Sequence, residues 1–386
     1  MTGTAVPAFA DVYDIRKGSI TIVANGDGTA KVTQNETVND KDDDVKVTGS
    51  NEVTGNTVDI INNTDNDLKV TLSDVTITDP KGDAAPVSVS GTGNTAIELD
   101  GSNTLKSSGW HAGLERNEEK NSDGNVVSGK LTIQDEDKNG SLDATGGFGG
   151  AGIGGANIKN SGALEITGGT ITATGKQDGA GIGGGLQGND VTITGNAVVN
   201  AYSEYGSAIG DGRPWGGGDT TITISGNATV HAEGKNAATA IGSSQNGHQG
   251  NLTITIAENA NVTAIGSTNA PAIGNAYSSG DGNTTIRITG GTVNAINSYD
   301  DNKNLRKDYP AIGAKDGKLN LTIDGSTGDT VVNVYQNDDA VPDGIGEPTT
   351  DPETGKTVYK IPTSADYNED GSSNLGEKNS VIINYY

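Results

Sequence analysis

An Ile-Gly step recurs along this chain at Ile153, Ile182, Ile209, Ile241, Ile273 and Ile312, each time behind an alanine or a glycine. The first and last lie 312 − 153 = 159 residues apart over five intervals, roughly 32 residues per repeat. A unit that short buries little by itself, so its apolar side needs a neighbour of the same kind stacked on it.

Each interval holds two more runs of alternating character. One set is Leu164-Glu165-Ile166-Thr167, Val191-Thr192-Ile193-Thr194, Thr221-Ile222-Thr223-Ile224, Leu252-Thr253-Ile254-Thr255-Ile256 and Thr285-Ile286-Arg287-Ile288. The other ends in Val-x-Ala: Val199-Asn200-Ala201, Val230-His231-Ala232, Val262-Thr263-Ala264 and Val293-Asn294-Ala295. A period of two leaves one side of each run buried and the other wet. It points Ile193, Ile222, Ile254 and Ile286 inward and Thr192, Thr223, Thr253 and Thr285 outward. Gly168-Gly169, Gly195-Asn196, Gly226-Asn227 and Gly290-Gly291 separate the two sets. Glycine and asparagine tolerate positive φ, so each pair marks a sharp corner.

Three short strands per repeat, without helical periodicity, specify an all-β, single-stranded parallel β-helix, a solenoid whose right-handed winding is the usual outcome. A propeller needs about four strands per repeat and tight antiparallel turns, and the loops here are too uneven. Weaker copies extend upstream: Val70–Leu72 with Val75–Ile77 and Val87–Val89, then Ala96–Leu99 with Thr104-Leu105 and Ala112–Leu114, then Leu131–Ile133 with Leu142–Ala144 and Ala151–Ile153. About ten coils follow, a rod near 48 Å long at roughly 4.8 Å per coil. Residues 11–337 form this unit, with an N-terminal cap over about the first forty of them. Residues 338–386, broken by Pro342, Pro348, Pro352 and Pro362, form a second cap or a linker.

Composition excludes several functions. With 25 Lys+Arg against 50 Asp+Glu the net charge is −25, which repels a nucleic-acid backbone. The chain has no Cys, hence no disulfide, thiolate metal site or cysteine nucleophile. No apolar run reaches the roughly 18 residues that cross a bilayer. Val6-Pro7-Ala8-Phe9-Ala10 before Asp11 has the small-x-small form read by signal peptidase. Residues 1–10 are therefore expected to be the remnant of a signal peptide, and the protein to be secreted or on a bacterial cell surface.

The strings Asn103–Ser107, Ala112-Gly113-Leu114, Gly150-Ala151-Gly152-Ile153-Gly154-Gly155 and the Ile-Thr-Gly-Gly-Thr at 166–170 and 288–292 resemble secreted surface proteins of Gram-positive anaerobes described as carbohydrate-binding-domain-containing. The resemblance covers roughly residues 12–335. It implies a fold like that of pectate lyases and binding of calcium and of polysaccharides such as polygalacturonate or cellulose. It carries over no individual residue.

Aromatic residues are scarce, 4% of the chain, so their placement is informative. Trp110, Tyr205 and Tyr309 shortly precede an Ile-Gly strand or its equivalent, Trp215 and Tyr277 shortly follow one, and Tyr202 and Tyr299 occupy the same loops. Equal positions in a repeat are neighbours along the rod, so these seven are expected to form a longitudinal band on which sugar rings stack. The bland reading of the same tyrosines is that they cover the ends of the isoleucine stack. Asp135-x-Asp137-x-Asn139-Gly140 with Asp143 matches the start of a calcium loop, with oxygen ligands on alternate residues and glycine at the bend. Its twelfth position is Gly146, where such loops carry a bidentate glutamate. These four residues are the expected Ca²⁺ ligands.

Catalysis has less support. The histidines, His111, His231 and His248, fall in different coils, and the pair Asp300 and Asp301 lies about seven coils from Asp65, far beyond the few ångströms that cooperating carboxylates require. The expected function is therefore non-catalytic binding of a polysaccharide or host glycan by a monomer, possible help from Ca²⁺ included. The competing readings are a structural stalk or adhesin segment without a sugar site and, less favoured, a polysaccharide lyase.

Overall fold

The computed structural model describes residues 11–335, apart from 81–82, 187–188, 214–217, 245–249, 268–269, 277–281, 298–309 and 315–317, together with the strands Pro348–Thr350, Thr357–Tyr359 and Val381–Tyr385. The expected parallel β-helix is what forms. Three sheets of 11, 13 and 12 strands run the length of the rod, and nearly every pairing within them is parallel. Each coil visits the first sheet, turns a sharp corner into the second, and turns a looser corner into the third. The last of these carries the Ile-Gly steps. Among the described residues the only helix is the single 3₁₀ turn Ile15–Lys17, and none is long and apolar enough to cross a membrane.

Register turns the sequence pattern into columns. Val191, Ile222, Ile254, Ile286 and Leu321 stack rung upon rung in the first sheet. Ile193 belongs to the column beside it, with Ile224, Ile256, Ile288 and Ile323. In the second sheet Ala173, Ala201, Ala232, Ala264 and Ala295 form a column of small side chains. The third sheet contributes Ile153, Ile182, Ile209, Ile241, Ile273 and Ile312. All but a few of these side chains are fully buried, with large columns and small ones sharing the narrow interior. The corner glycines behave as their chemistry requires: Gly195 has φ +65° and Gly226 φ +68°.

The rod has about nine complete coils, one fewer than the sequence suggested, because its ends change pairing. At the N-terminal end, strands Ile20–Ala24, Ala30–Gln34 and Thr37–Asp42 form an antiparallel meander that finishes the third sheet. The Tyr13 hydroxyl donates to Asp42 Oδ2 at 2.7 Å and ties this meander to the first strand. Burial and that carboxylate push the Tyr13 phenol well above its usual range. At the other end, Val381–Tyr385 adds a parallel rung beside Thr330–Tyr335, and Pro348–Thr350 and Thr357–Tyr359 continue that sheet antiparallel.

One coil is widened by residues 117–130, and Arg116 sits at its root. The guanidinium is completely buried and donates to the carbonyls of Gly129, Val89 and Gly91 at 3.1, 3.2 and 2.7 Å. An arginine in this position knits the widened coil to the one before it, because its planar fork spans three carbonyls, of which that of Gly91 also accepts the Gly129 N–H at 3.1 Å.

Candidate functional site

The corner between the second and third sheets carries the exposed aromatic residues. Residues 109–111 are fixed there by their own backbone. The Phe148 N–H donates to the Gly109 carbonyl at 2.7 Å, Gly147 N–H to His111 at 2.9 Å and Asn157 N–H to Trp110 at 2.8 Å. These bonds set the Trp110 and Phe148 rings edge to face, with centroids 4.8 Å apart and planes at 65°. Trp110 remains 52% exposed and Phe148 49%. Two large rings left half in water, in a chain with so few of them, form a conspicuous apolar pair among the described residues. Phe148 was missed in the sequence. It sits at the end of a strand that reads as Ser-Leu-Asp-Ala-Thr-Gly-Gly-Phe, and only the rung-to-rung offset brings it to Trp110.

A polar group stands behind the pair. His111 Nδ1 lies 2.7 Å from Glu115 Oε2 and its Nε2 lies 3.4 Å from Asp83 Oδ1. Glu115 also accepts from the Ala112 N–H at 3.1 Å and the Asn117 amide at 2.9 Å. The hydrogen bond to Glu115 is the main reason the His111 pKa is raised. Partial burial opposes it, and the charges of Glu115 and Asp83 add to it.

The other described members of the expected band are less free. Phe148 is paired with Lys176 on the next rung, and Tyr205 N–H donates to Gln177 one coil further on. Tyr205 thus lies three coil spacings from Trp110, roughly 14 Å at about 4.8 Å each. Its ring is capped by the Arg213 guanidinium 4.9 Å from the centroid, and Arg213 N–H donates to the Asp178 carbonyl at 2.8 Å. Tyr205 and Arg213, before and after the Ile209-Gly210 step, meet because the chain turns back there, with Ser207 N–H donating to the Asp211 carbonyl at 2.8 Å; Ala180 N–H donates likewise to Gly184 at 3.0 Å one coil earlier. Tyr202 lies on the outer side of the second sheet, between Thr174 and Glu233, with its ring 5.9 Å from His231. Trp215, Tyr277, Tyr299 and Tyr309 lie outside the described residues.

The acidic loop is rearranged relative to the sequence reading. Asp135 Oδ1 accepts from Asn139 N–H at 3.2 Å and Oδ2 from Gly140 N–H at 3.0 Å, so this carboxylate holds its own loop closed. Asn139 Nδ2 donates to Asp137 Oδ2 at 2.7 Å, and Asn139 Oδ1 accepts from Gly101 N–H at 3.2 Å. Asp143 is not brought to this group. It lies on the outer side of the second sheet, 3.0 Å from the Lys106 ammonium. In its place stands Glu98, from the preceding coil. Glu98, Asp135 and Asp137 each offer a carboxylate oxygen within 4.8 Å of the others. Glu98 is buried beneath the loop, accepting from Glu136 N–H at 2.8 Å and the Gln134 amide at 2.9 Å. Burial, with the nearby Asp137 adding to it, raises the Asp135 pKa despite the two backbone donors. Three hard oxygens converging in this way are the groups that could hold a divalent cation. Glu98 has no signal in the sequence, because it is 37 residues from Asp135 in a coil of irregular length.

A family model described as "Beta helix repeat" matches residues 164–186. That segment is one turn of the rod, running from strand Leu164–Ile166 through Gly168 and Gly169 to strand Ile182–Gly185. The chain carries β-helix repeats. No curated protein and no solved structure matches it.

In this β-helix repeat protein the backbone ladder makes every surface group part of a fixed grid, with lateral spacing set by the coils. The aromatic pair offers stacking faces. Its neighbours His111, Glu115 and Asp83 offer hydrogen bonds at one edge, and Lys176 offers a cation at the other.

Proposed function

We propose that this protein is a non-catalytic, extracellular β-helix that binds polysaccharide at the corner formed by Trp110 and Phe148. The observation that carries the reading is the exposed edge-to-face pair itself. Burying such rings in the core would stabilise the fold; left half-exposed on a rigid corner, they provide C–H stacking surface at little cost in side-chain entropy, which is what sugar rings use. The two planes meet at an angle instead of lying flat, which suits a single glycan chain better than the flat face of a crystalline polymer. Calcium belongs to the proposal as a structural ion at Glu98, Asp135 and Asp137, tightening the loop that Asp135 closes. The protein is proposed to act as a monomer.

The test is binding to a glycan array, with wild type compared with Trp110→Ala and Phe148→Ala. Loss of at least about tenfold in affinity for the captured glycan in both variants supports the reading. Retention of wild-type binding in both, or no glycan bound by wild type, removes it. A structural stalk is the second reading, favoured by the occupied state of Tyr205 under Arg213 and Tyr202 beside His231; it predicts no binding at all.

A further inference from the structure

A different corner holds a cleft. Between the first and second sheets, Asp135, Lys138, Thr170, Asn196 and Val198 surround a cleft of about 200 Å³ floored by Gly168 and Gly169. The floor is glycine for a reason. Gly169 has φ +82°, and a Cβ on Gly168 would stand 3.0 Å from the Asp135 backbone nitrogen, tighter than an ordinary contact.

Its walls carry both kinds of hydrogen-bonding group. Asn196 accepts from the Asn227 amide through Oδ1 at 3.3 Å, and its own Nδ2 has no partner among the described residues. Lys138, held in left-handed backbone at φ +63°, has no ion pair among them either. Asp135 keeps lone pairs beyond the two that the Asn139 and Gly140 N–H groups occupy. Val198 is 40% exposed and supplies an apolar patch. Every sugar hydroxyl both donates and accepts, so a carboxylate beside an amide and an ammonium can satisfy two adjacent hydroxyls cooperatively. The small apolar patch fits the C–H side of the ring. Lys138 beside Asp135 leaves the cleft without net charge, which favours a neutral ligand over phosphate or uronate.

We infer that this cleft is a binding site for one neutral hexose unit, separate from the aromatic corner. It does not depend on the glycan reading of Trp110.

The experiment is an amide-resolved NMR titration of the full chain with methyl glycosides of glucose, galactose and mannose, and with galacturonate and inorganic phosphate as further arms. The expected result is saturable shifts at Gly168, Gly169 and Asn196 for at least one neutral glycoside and none for the two anions. Asn196→Ala and Lys138→Gly, both at exposed positions and checked for unchanged circular dichroism, should each weaken that binding about tenfold. Trp110→Ala should leave it unchanged. No saturable shift with any neutral glycoside overturns the inference. So does a response confined to the anions, persistence of wild-type affinity in both cleft variants, or loss of the shifts in Trp110→Ala, which would place the sugar at the other corner.

Discussion

Gly183 and Gly210 lie on adjacent rungs of the third sheet, and a Cβ on Gly183 would overlap the carbonyl oxygen of Gly210. The same overlap awaits Gly154 against Gly183, Gly210 against Gly242, Gly242 against Gly274 and Gly274 against Gly313. All of these glycines have φ between +126° and +151°, a region closed to side chains. The Ile-Gly step is thus a column in its own right. Isoleucine fills the interior while glycine lets consecutive coils approach where the chain doubles back.

Gly183→Ala should therefore destabilise the fold by more than about 3 kcal/mol or prevent folding, since both φ and the neighbouring carbonyl forbid the methyl. Gly26→Ala is the control. Nothing lies within 4 Å of its Cβ position, and its effect should stay within about 0.5 kcal/mol. Urea unfolding of the two variants checks this, and equal midpoints would show that the ladder tolerates side chains.

Arg116→Met should cost about 3–5 kcal/mol, because the carbonyls of Val89 and Gly129 lose the guanidinium's hydrogen bonds and that of Gly91 keeps only the Gly129 N–H. Arg116→Lys should recover little, as one ammonium cannot span the fork. Burial lowers the Arg116 pKa, yet an arginine stays charged at any accessible pH. Unfolding by denaturant measures both, and full rescue by lysine would refute the geometric argument.

His111 makes the aromatic corner pH-dependent. Its folded pKa is raised above the ordinary 6.5, mainly through Glu115. Its contribution to stability is thus fully present below that ordinary value and is lost as pH rises through the higher folded one. Glu115→Gln should move the His111 titration to lower pH. Ring-proton NMR reads this directly, and an unmoved titration would contradict the assigned cause.

Asp135 shifts stability in the same direction for a different reason, since here burial disfavours the charged form. Its folded pKa is raised by burial and by Asp137, so the folded state is favoured at low pH and loses stability as pH rises through the raised value. Asp137→Asn should bring the Asp135 titration down, followed by carboxyl carbon shifts. Added Ca²⁺ should raise the melting temperature of wild type at neutral pH and do so less in Asp137→Asn. A melting temperature insensitive to calcium removes the ion from the proposed function.

Much of the coil arrangement was legible in advance because stacking makes the interior a one-dimensional pattern. Val70–Leu72, Val75–Ile77 and Val87–Val89 do form one turn, as do the two upstream sets after it. The sites were less legible. Asp143 matched a calcium loop in sequence, but it lies on the strand Ser141–Phe148, beyond the loop's end, facing Lys106.

The amino-acid sequence alone determined the columns and the corners, since period two, isoleucine at fixed intervals and glycine where φ is positive are local requirements repeated until only one packing satisfies them. Which surface groups meet was decided by the tertiary structure. Trp110 faces Phe148, and Glu98 joins Asp135, because coils of unequal length still stack in register, and backbone hydrogen bonds between rungs, not distance along the chain, set who is adjacent.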